Sequence, residues 1–261
     1  MLYSASHLHG TRVVASDGDI GQVDEFYFDD EHWAVRYLVI DTGGWLAGRK
    51  VLISPYSVQR TDPAGRTLEV SLTRDQVENS PDIDAHKPVS RQYEADYLQY
   101  YGYPTYWGGV DMWGLGGFPL VAPPTGTLPA VEQGAAESNS AAREHGQDPQ
   151  DTHLRSTRDI EGYHVQASDA SFGHVEDFLV DSESWAIHYL VIDTRNWVPG
   201  SKRVLVATKW IDRIDWTDSK VHTALGKEAI RSSPAYDERT AVDREYEARL
   251  HAAHGRRGYW L

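Results

Sequence analysis

The sequence has no cysteine, which excludes a disulfide frame, a thiolate metal site and a cysteine nucleophile. It is poor in cations: 25 Lys and Arg are set against 39 Asp and Glu, for a formal net charge of -14. Binding to a phosphate backbone gains affinity from Lys and Arg displacing counterions, so nucleic-acid binding is not expected. The small basic pair Arg256 and Arg257 does not alter that balance. Long apolar runs are missing as well, with nothing near the roughly 18 apolar residues of a membrane span. The opening Met1-Leu2-Tyr3-Ser4 lacks the basic start and apolar centre of a signal peptide, so the expected location is cytoplasmic. Gly-rich phosphate loops, a nucleophile elbow and a zinc-protease helix are absent too; the expectation is a protein that is not an enzyme and needs no cofactor.

What the sequence does contain is one β-rich unit written twice. Gly21 to Trp45 recurs as Gly173 to Trp197 without a gap, at an offset of 152 residues (173 minus 21). Leu38-Val39-Ile40-Asp41-Thr42 returns as Leu190-Val191-Ile192-Asp193-Thr194. One extra residue then makes the offset 153, so that Val51-Leu52-Ile53 matches Val204-Leu205-Val206 and Tyr106-Trp107 matches Tyr259-Trp260. Each unit is therefore of ordinary domain size.

Within a unit, short runs rich in Val, Ile, Tyr and Phe between Gly and Asp turns read as strands. Gln22 to Phe28 partly alternates, as a strand with one wet face does, and Asp29-Asp30-Glu31 is a hairpin turn into a strand from Trp33 to Asp41. That strand is apolar from Tyr37 to Ile40 and is expected at the centre of the core. Val51 to Ser54, Val58 to Thr61 and Thr67 to Leu72 supply further strands, with Pro63-Ala64-Gly65 as a turn. Thr73 caps a short helix over Arg74 to Asn79, and later helices are expected over Arg91 to Tyr101 and Asp243 to His254.

These residues carry a family resemblance. Gly21 to Asp29, Trp33 to Thr42 and Val51 to Pro55, with their counterparts from Gly173 to Ala207, resemble the PRC-barrel family, which includes the cytoplasmic domain of the photosynthetic reaction-centre H subunit and the barrel of a ribosomal maturation factor. The resemblance implies an all-β fold with minor α: two tandem small PRC-type β-barrels, each of about six strands with short C-terminal helices, related by pseudo-two-fold symmetry. It divides the chain into a first barrel at 1–82, a helix and aromatic extension at 83–118, a flexible linker at 119–153, a second barrel at 154–235 and a C-terminal helix with aromatic ending at 236–261. Pro119 to His153 is rich in Pro, Ala, Gly and Ser and lacks periodicity, as a linker does. No membrane helix or RNA-processing domain accompanies the barrels, so the specific roles of those two relatives do not transfer.

Several groups of residues are candidate sites. The acids Asp17, Asp19, Asp24, Glu25, Asp29, Asp30 and Glu31 lack the spacing and closing Glu of a calcium loop and read as solvated turns. His251 and His254 sit three apart on one helix but have no third ligand, and read as surface residues. Asp41 and Asp193, each followed by Thr at a strand end, read as turn formers in preference to acid-base groups. Trp33, Trp45, Trp185 and Trp197 read as packing in preference to a ligand cage. The aromatic endings differ because they lie beyond the barrels: Tyr103, Tyr106, Trp107, Trp113, Tyr259 and Trp260 are the candidate interaction residues. The resulting expectation is a non-catalytic interaction or assembly module with a protein partner, pairing its barrels within one chain or as a homodimer. The alternative is a small-ligand or metal sensor using a cleft between the barrels.

Overall fold

The computed structural model describes residues 1–62, 66–83, 89–107, 109, 111–114, 116–121, 154–194, 202–239 and 241–260. The Pro63-Ala64-Gly65 turn, Trp197 and nearly all of the expected linker lie outside the described residues. The chain forms two compact units. The first comprises residues 8–156 with 183–185, and the second residues 1–7, 157–182 and 186–261.

The first unit is a seven-stranded sheet with the path β5 (Lys50–Ile53), β4 (Ala34–Asp41), β3 (Gly18–Asp29), β2 (Arg12–Ala15), β7 (Thr67–Val70), β6 (Val58–Asp62), and with β8 (Leu154–Ser156) added on β3. The second unit repeats this order as β12 (Arg203–Ala207), β11 (Ile187–Asp193), β10 (Ser171–Asp181), β9 (His164–Gln166), β14 (Lys220–Thr223), β13 (Ile211–Asp215), with β1 (Leu2–Ser4) added on β10. Neighbours are antiparallel except β2 with β7 and β9 with β14, which are parallel. The hydrogen-bonded path has two ends in each unit, and among the described residues no ladder joins them into a closed ring. Bulges fall at the same places in the two sheets, between Val23 and Glu25 and between Val175 and Asp177. Such an insertion bends the strand and re-aims the side chain beside it.

The core follows the expected centre. In β4 every residue from Ala34 to Ile40 is buried, including Arg36. Trp33 belongs to the preceding turn, not to the strand: its φ of 53, like the 59 of Trp185, is a left-handed conformation that a ladder does not tolerate. Gly21 and Gly173 head the repeat for a steric reason. Their φ values are 155 and 82, and a Cβ would lie 2.1 Å from the Asp41 carbonyl oxygen and 2.7 Å from that of Asp193. Only a residue without a Cβ lets the two strands come this close.

Helices end where their caps place them. Thr73 and Gln76 form a reciprocal capping box ahead of α2 (Arg74–Glu78). Ser90 caps α3 (Arg91–Tyr101), which stops at the left-handed Gly102. Asp243 caps the corresponding helix Arg244–Ala253 of the second unit. Both helices are fastened by the same bond, from the Tyr93 hydroxyl to the Pro81 carbonyl at 2.9 Å and from the Tyr246 hydroxyl to the Pro234 carbonyl at 3.2 Å.

The first strands depart from the repeat-based boundaries. Leu2-Tyr3-Ser4 and Leu154-Arg155-Ser156 occupy equivalent positions, 152 residues apart. Yet residues 1–7 belong to the compact unit that contains 157–182, and Leu154–Ser156 to the one that contains β3. Each sheet is finished by the segment that leads into the other repeat.

Candidate interaction site

In the first unit the aromatic extension folds back around a buried charge. Arg36 on β4 is 1% exposed, and its Nη2 donates to Asp29 Oδ2 at 2.9 Å while Nη1 donates to the Met112 carbonyl at 2.6 Å. Its guanidinium lies 3.8 Å from the Tyr106 ring centre and 4.8 Å from that of Trp113, an arrangement stabilised by the negative faces of both rings. Burial alone would raise the Asp29 carboxyl, but the charge and hydrogen bond of Arg36, with His32, outweigh it and hold Asp29 down to about 2. From the other side, α3 supplies Glu94, fully buried, which accepts from the Tyr106 hydroxyl and pairs with Arg91. Burial, followed by the neighbouring Glu94 charge, drives the phenols of Tyr37 and Tyr106 well above their ordinary range.

The second unit builds the same corner with different chemistry. His188 stands where Arg36 stands and stacks on Tyr259 with ring centres 3.9 Å apart. Burial lowers its pKa to about 4, so the ring is neutral at pH 7. Glu247, in the place of Glu94, accepts from the Tyr189 hydroxyl at 2.9 Å and pairs with Arg244 at 3.0 Å. The guanidinium of Arg244 sits 4.5 Å from the Trp260 ring centre, as that of Arg91 sits 4.7 Å from Trp107.

All six candidate interaction residues are thus brought onto their own units. Tyr106 and Trp113 are buried, and Trp113 Nε1 donates to the Ser184 carbonyl at 2.8 Å. Tyr103, Trp107, Tyr259 and Trp260 are half-buried, with Tyr103 against Tyr56 at 5.3 Å and Trp260 against His251 at 5.1 Å. Three exposed apolar side chains follow the first unit's aromatics: Phe118 is 49% exposed, Leu120 75% and Val121 42%. Sequence reasoning missed Arg36, Arg91, Glu94, His188, Arg244 and Glu247. A signal for four of them was present, since Arg91 and Glu94 recur as Arg244 and Glu247 at the offset of 153.

The other candidates separate. Asp17 accepts from the Arg74 amide, Asp19 from Arg12 and Asp24 from Lys50, so these acids serve different neighbours. Asp29, Glu31 and His32 do converge, but the Asp29 carboxylate already accepts two backbone amides, Arg36 and His32, which uses its oxygens. His251 is buried, contrary to its reading as a surface residue, with Nε2 3.0 Å from the Tyr189 hydroxyl and Nδ1 donating to the Arg257 carbonyl. His254 instead reaches Ser233, so the two rings do not share a ligand position. Asp41 accepts from the Gly43 amide at 2.8 Å, the turn-forming bond expected of it. Trp33 stacks on Phe28, Trp45 lies under Arg74 and Trp185 is buried, three separate packing duties.

Two seven-stranded sheets of the same order, each with a buried central strand, define a mostly β protein. Residues 1–77 match the family model of the PRC-barrel domain. The chain is also similar to an uncharacterized protein from Deinococcus radiodurans, 32% identical over 84 residues, a match that spans 32% of this chain and 30% of that protein. No helix among the described residues is long and apolar enough to cross a membrane.

Proposed function

We propose that the protein is a non-catalytic assembly module built from two PRC-type modules, which docks on a protein partner through the segment from Phe118 to Val121. The observation that carries this reading is the exposure of three apolar side chains, Phe118, Leu120 and Val121, within four residues. Exposed apolar groups that are contiguous, unlike scattered ones, mark contact surfaces. The segment comes shortly after Trp113, whose side chain is buried and donates to the Ser184 carbonyl. An acidic chain presenting this segment suits a partner with an apolar groove and a basic rim. Reading the second unit as another PRC-type module is supported by its strand order, its bulges and its Arg, Glu and Tyr corner. The test is a crosslinked pull-down from native cells with the full chain and with its Phe118→Ser, Leu120→Ser, Val121→Ser variant. A partner held by the first and lost from the second is expected; equal capture by both refutes docking through this segment.

A further inference from the structure

β1 and β8 are three-residue strands, each seated on the flank of a sheet whose other strands come from the opposite end of the chain. Leu2, Tyr3 and Ser4 pair with Asp181, Val180 and Leu179, and Leu154, Arg155 and Ser156 pair with Asp29, Phe28 and Tyr27. The register is the same in both sheets, because Tyr27 and Leu179 are equivalent positions. A polar latch accompanies each. The Ser4 hydroxyl donates to the buried Asp177 carboxylate, which also accepts from the Ser6 amide at 3.1 Å and the Ser6 hydroxyl at 2.7 Å. The Ser156 hydroxyl donates to Glu25, the counterpart of Asp177.

We infer that these strands are exchange elements, and that a second copy of this chain supplies them to form a dimer whose sheets are completed across chains. The chemistry of the seat selects the occupant. Without the strand the buried Asp177 carboxylate would keep only the Phe178 amide, at 2.8 Å, of these donors, and an under-satisfied buried carboxylate is costly, so the incoming strand is selected for a hydroxyl at one fixed position. This chain carries two such segments, Leu2-Tyr3-Ser4 and Leu154-Arg155-Ser156. Swapping an identical element between copies preserves every contact and is a low-cost route to a dimer. Complementary segments on one chain meet at an effective concentration of about millimolar, so self-completion dominates at micromolar protein and exchange grows as protein approaches millimolar. Short strands with few pairings belong to the least stable parts of a fold, which makes their release accessible without global unfolding. This inference goes beyond docking through Phe118 to Val121 and does not depend on it.

The absence of native cysteine makes the test clean. Full-length Tyr3→Cys and Val180→Cys chains, mixed in equal amounts and incubated at micromolar and at about millimolar concentration, are oxidised and mapped by peptide mass. A disulfide between positions 3 and 180 of different chains is expected, its yield rising about tenfold or more over that range. The full-length double variant must close the same disulfide within one chain at micromolar concentration, and Ser4→Ala with Ser6→Ala in the Tyr3→Cys chain must lower the cross-chain yield. Closure in the double variant with no cross-chain product at any concentration overturns exchange, and failure of the double variant to close overturns the strand pairing itself. Neither result touches partner capture through Phe118, so the two readings fail separately.

Discussion

Replacing Arg36 with Met keeps the stem that fills the core and removes the charge, and it should be among the most damaging single changes in the first unit. Asp29, 3% exposed, would lose the partner that holds its carboxyl near 2. A shift from 3.8 to about 2 corresponds to about 2 kcal/mol of stability at neutral pH. Losing the cation raises the total to about 3 to 5 kcal/mol, because the remaining buried charge keeps its desolvation cost with only two backbone amides and His32 to offset it. The Met112 carbonyl and the faces of Tyr106 and Trp113 lose their cation at the same time. With a slope of about 1 to 3 kcal/mol per molar urea, the unfolding midpoint should fall by roughly 2 M, followed by tryptophan fluorescence. Adding Asp29→Asn to Arg36→Met removes the orphaned charge and should restore a large part of the loss. A single variant with an unmoved midpoint, or a double variant no better than the single, would refute the claim that the pair anchors the aromatic extension. Acid gives an independent arm: Asp29 contributes its stability in full above pH 3.8 and loses it as the pH falls toward about 2.

The second unit should respond to acid earlier. His188 is depressed from 6.5 to about 4, so its contribution is intact above pH 6.5 and lost between pH 6.5 and about 4, amounting to about 3 kcal/mol. His188→Phe keeps the stack on Tyr259 and should flatten that part of the stability profile in urea titrations at pH 7, 5 and 4; an unchanged profile would exonerate His188. Gly21→Ala and Gly173→Ala should each cost more than about 1 kcal/mol, since a Cβ meets backbone in both, with Gly21→Ala the worse because its contact is closer. Paired melting curves decide the order. Thr73→Ala breaks the capping box of α2 and should cost about 1 kcal/mol, whereas Thr73→Ser should be nearly silent in the same assay.

Local rules were enough for the later helices and for the centre of each sheet. The helices expected over Arg91 to Tyr101 and Asp243 to His254 form at Arg91–Tyr101 and Arg244–Ala253, capped by Ser90 and Asp243, and the apolar run Tyr37 to Ile40 has no choice but the interior. The site was harder to read because it depends on where strands meet. Arg36 sits among apolar neighbours and reads as a wet-face residue until α3 and the extension close over it. Glu94 looks like one more exposed helix acid, although Tyr106, twelve residues later, takes it out of water. The lead-in strands were invisible for a different reason. Three residues are too few to show a period of two, and nothing in Leu2-Tyr3-Ser4 indicates that its partner is Leu179, whose distance along the chain only the folded sheet resolves.

The two corners also show which part of the repeat is free to change. Asp29 and Arg36 correspond to Asp181 and His188, so the carboxylate persists while the cation becomes a ring that is neutral at pH 7. In the first unit the group under the tyrosine must be a permanent cation, because it also holds Asp29 and the Met112 carbonyl. In the second, His188 stacks on Tyr259 with ring centres 3.9 Å apart, and burial keeps it neutral, whereas a cation buried there would carry a desolvation cost. A stacked neutral imidazole fills the space without that cost. What does not vary is the remainder of the clamp, the Glu on the long helix, the Arg one turn earlier and the Tyr-Trp pair. The shared clamp folds the aromatic ending onto the sheet of each unit, and the position of Arg36 and His188 is where the chemistry of the two corners differs.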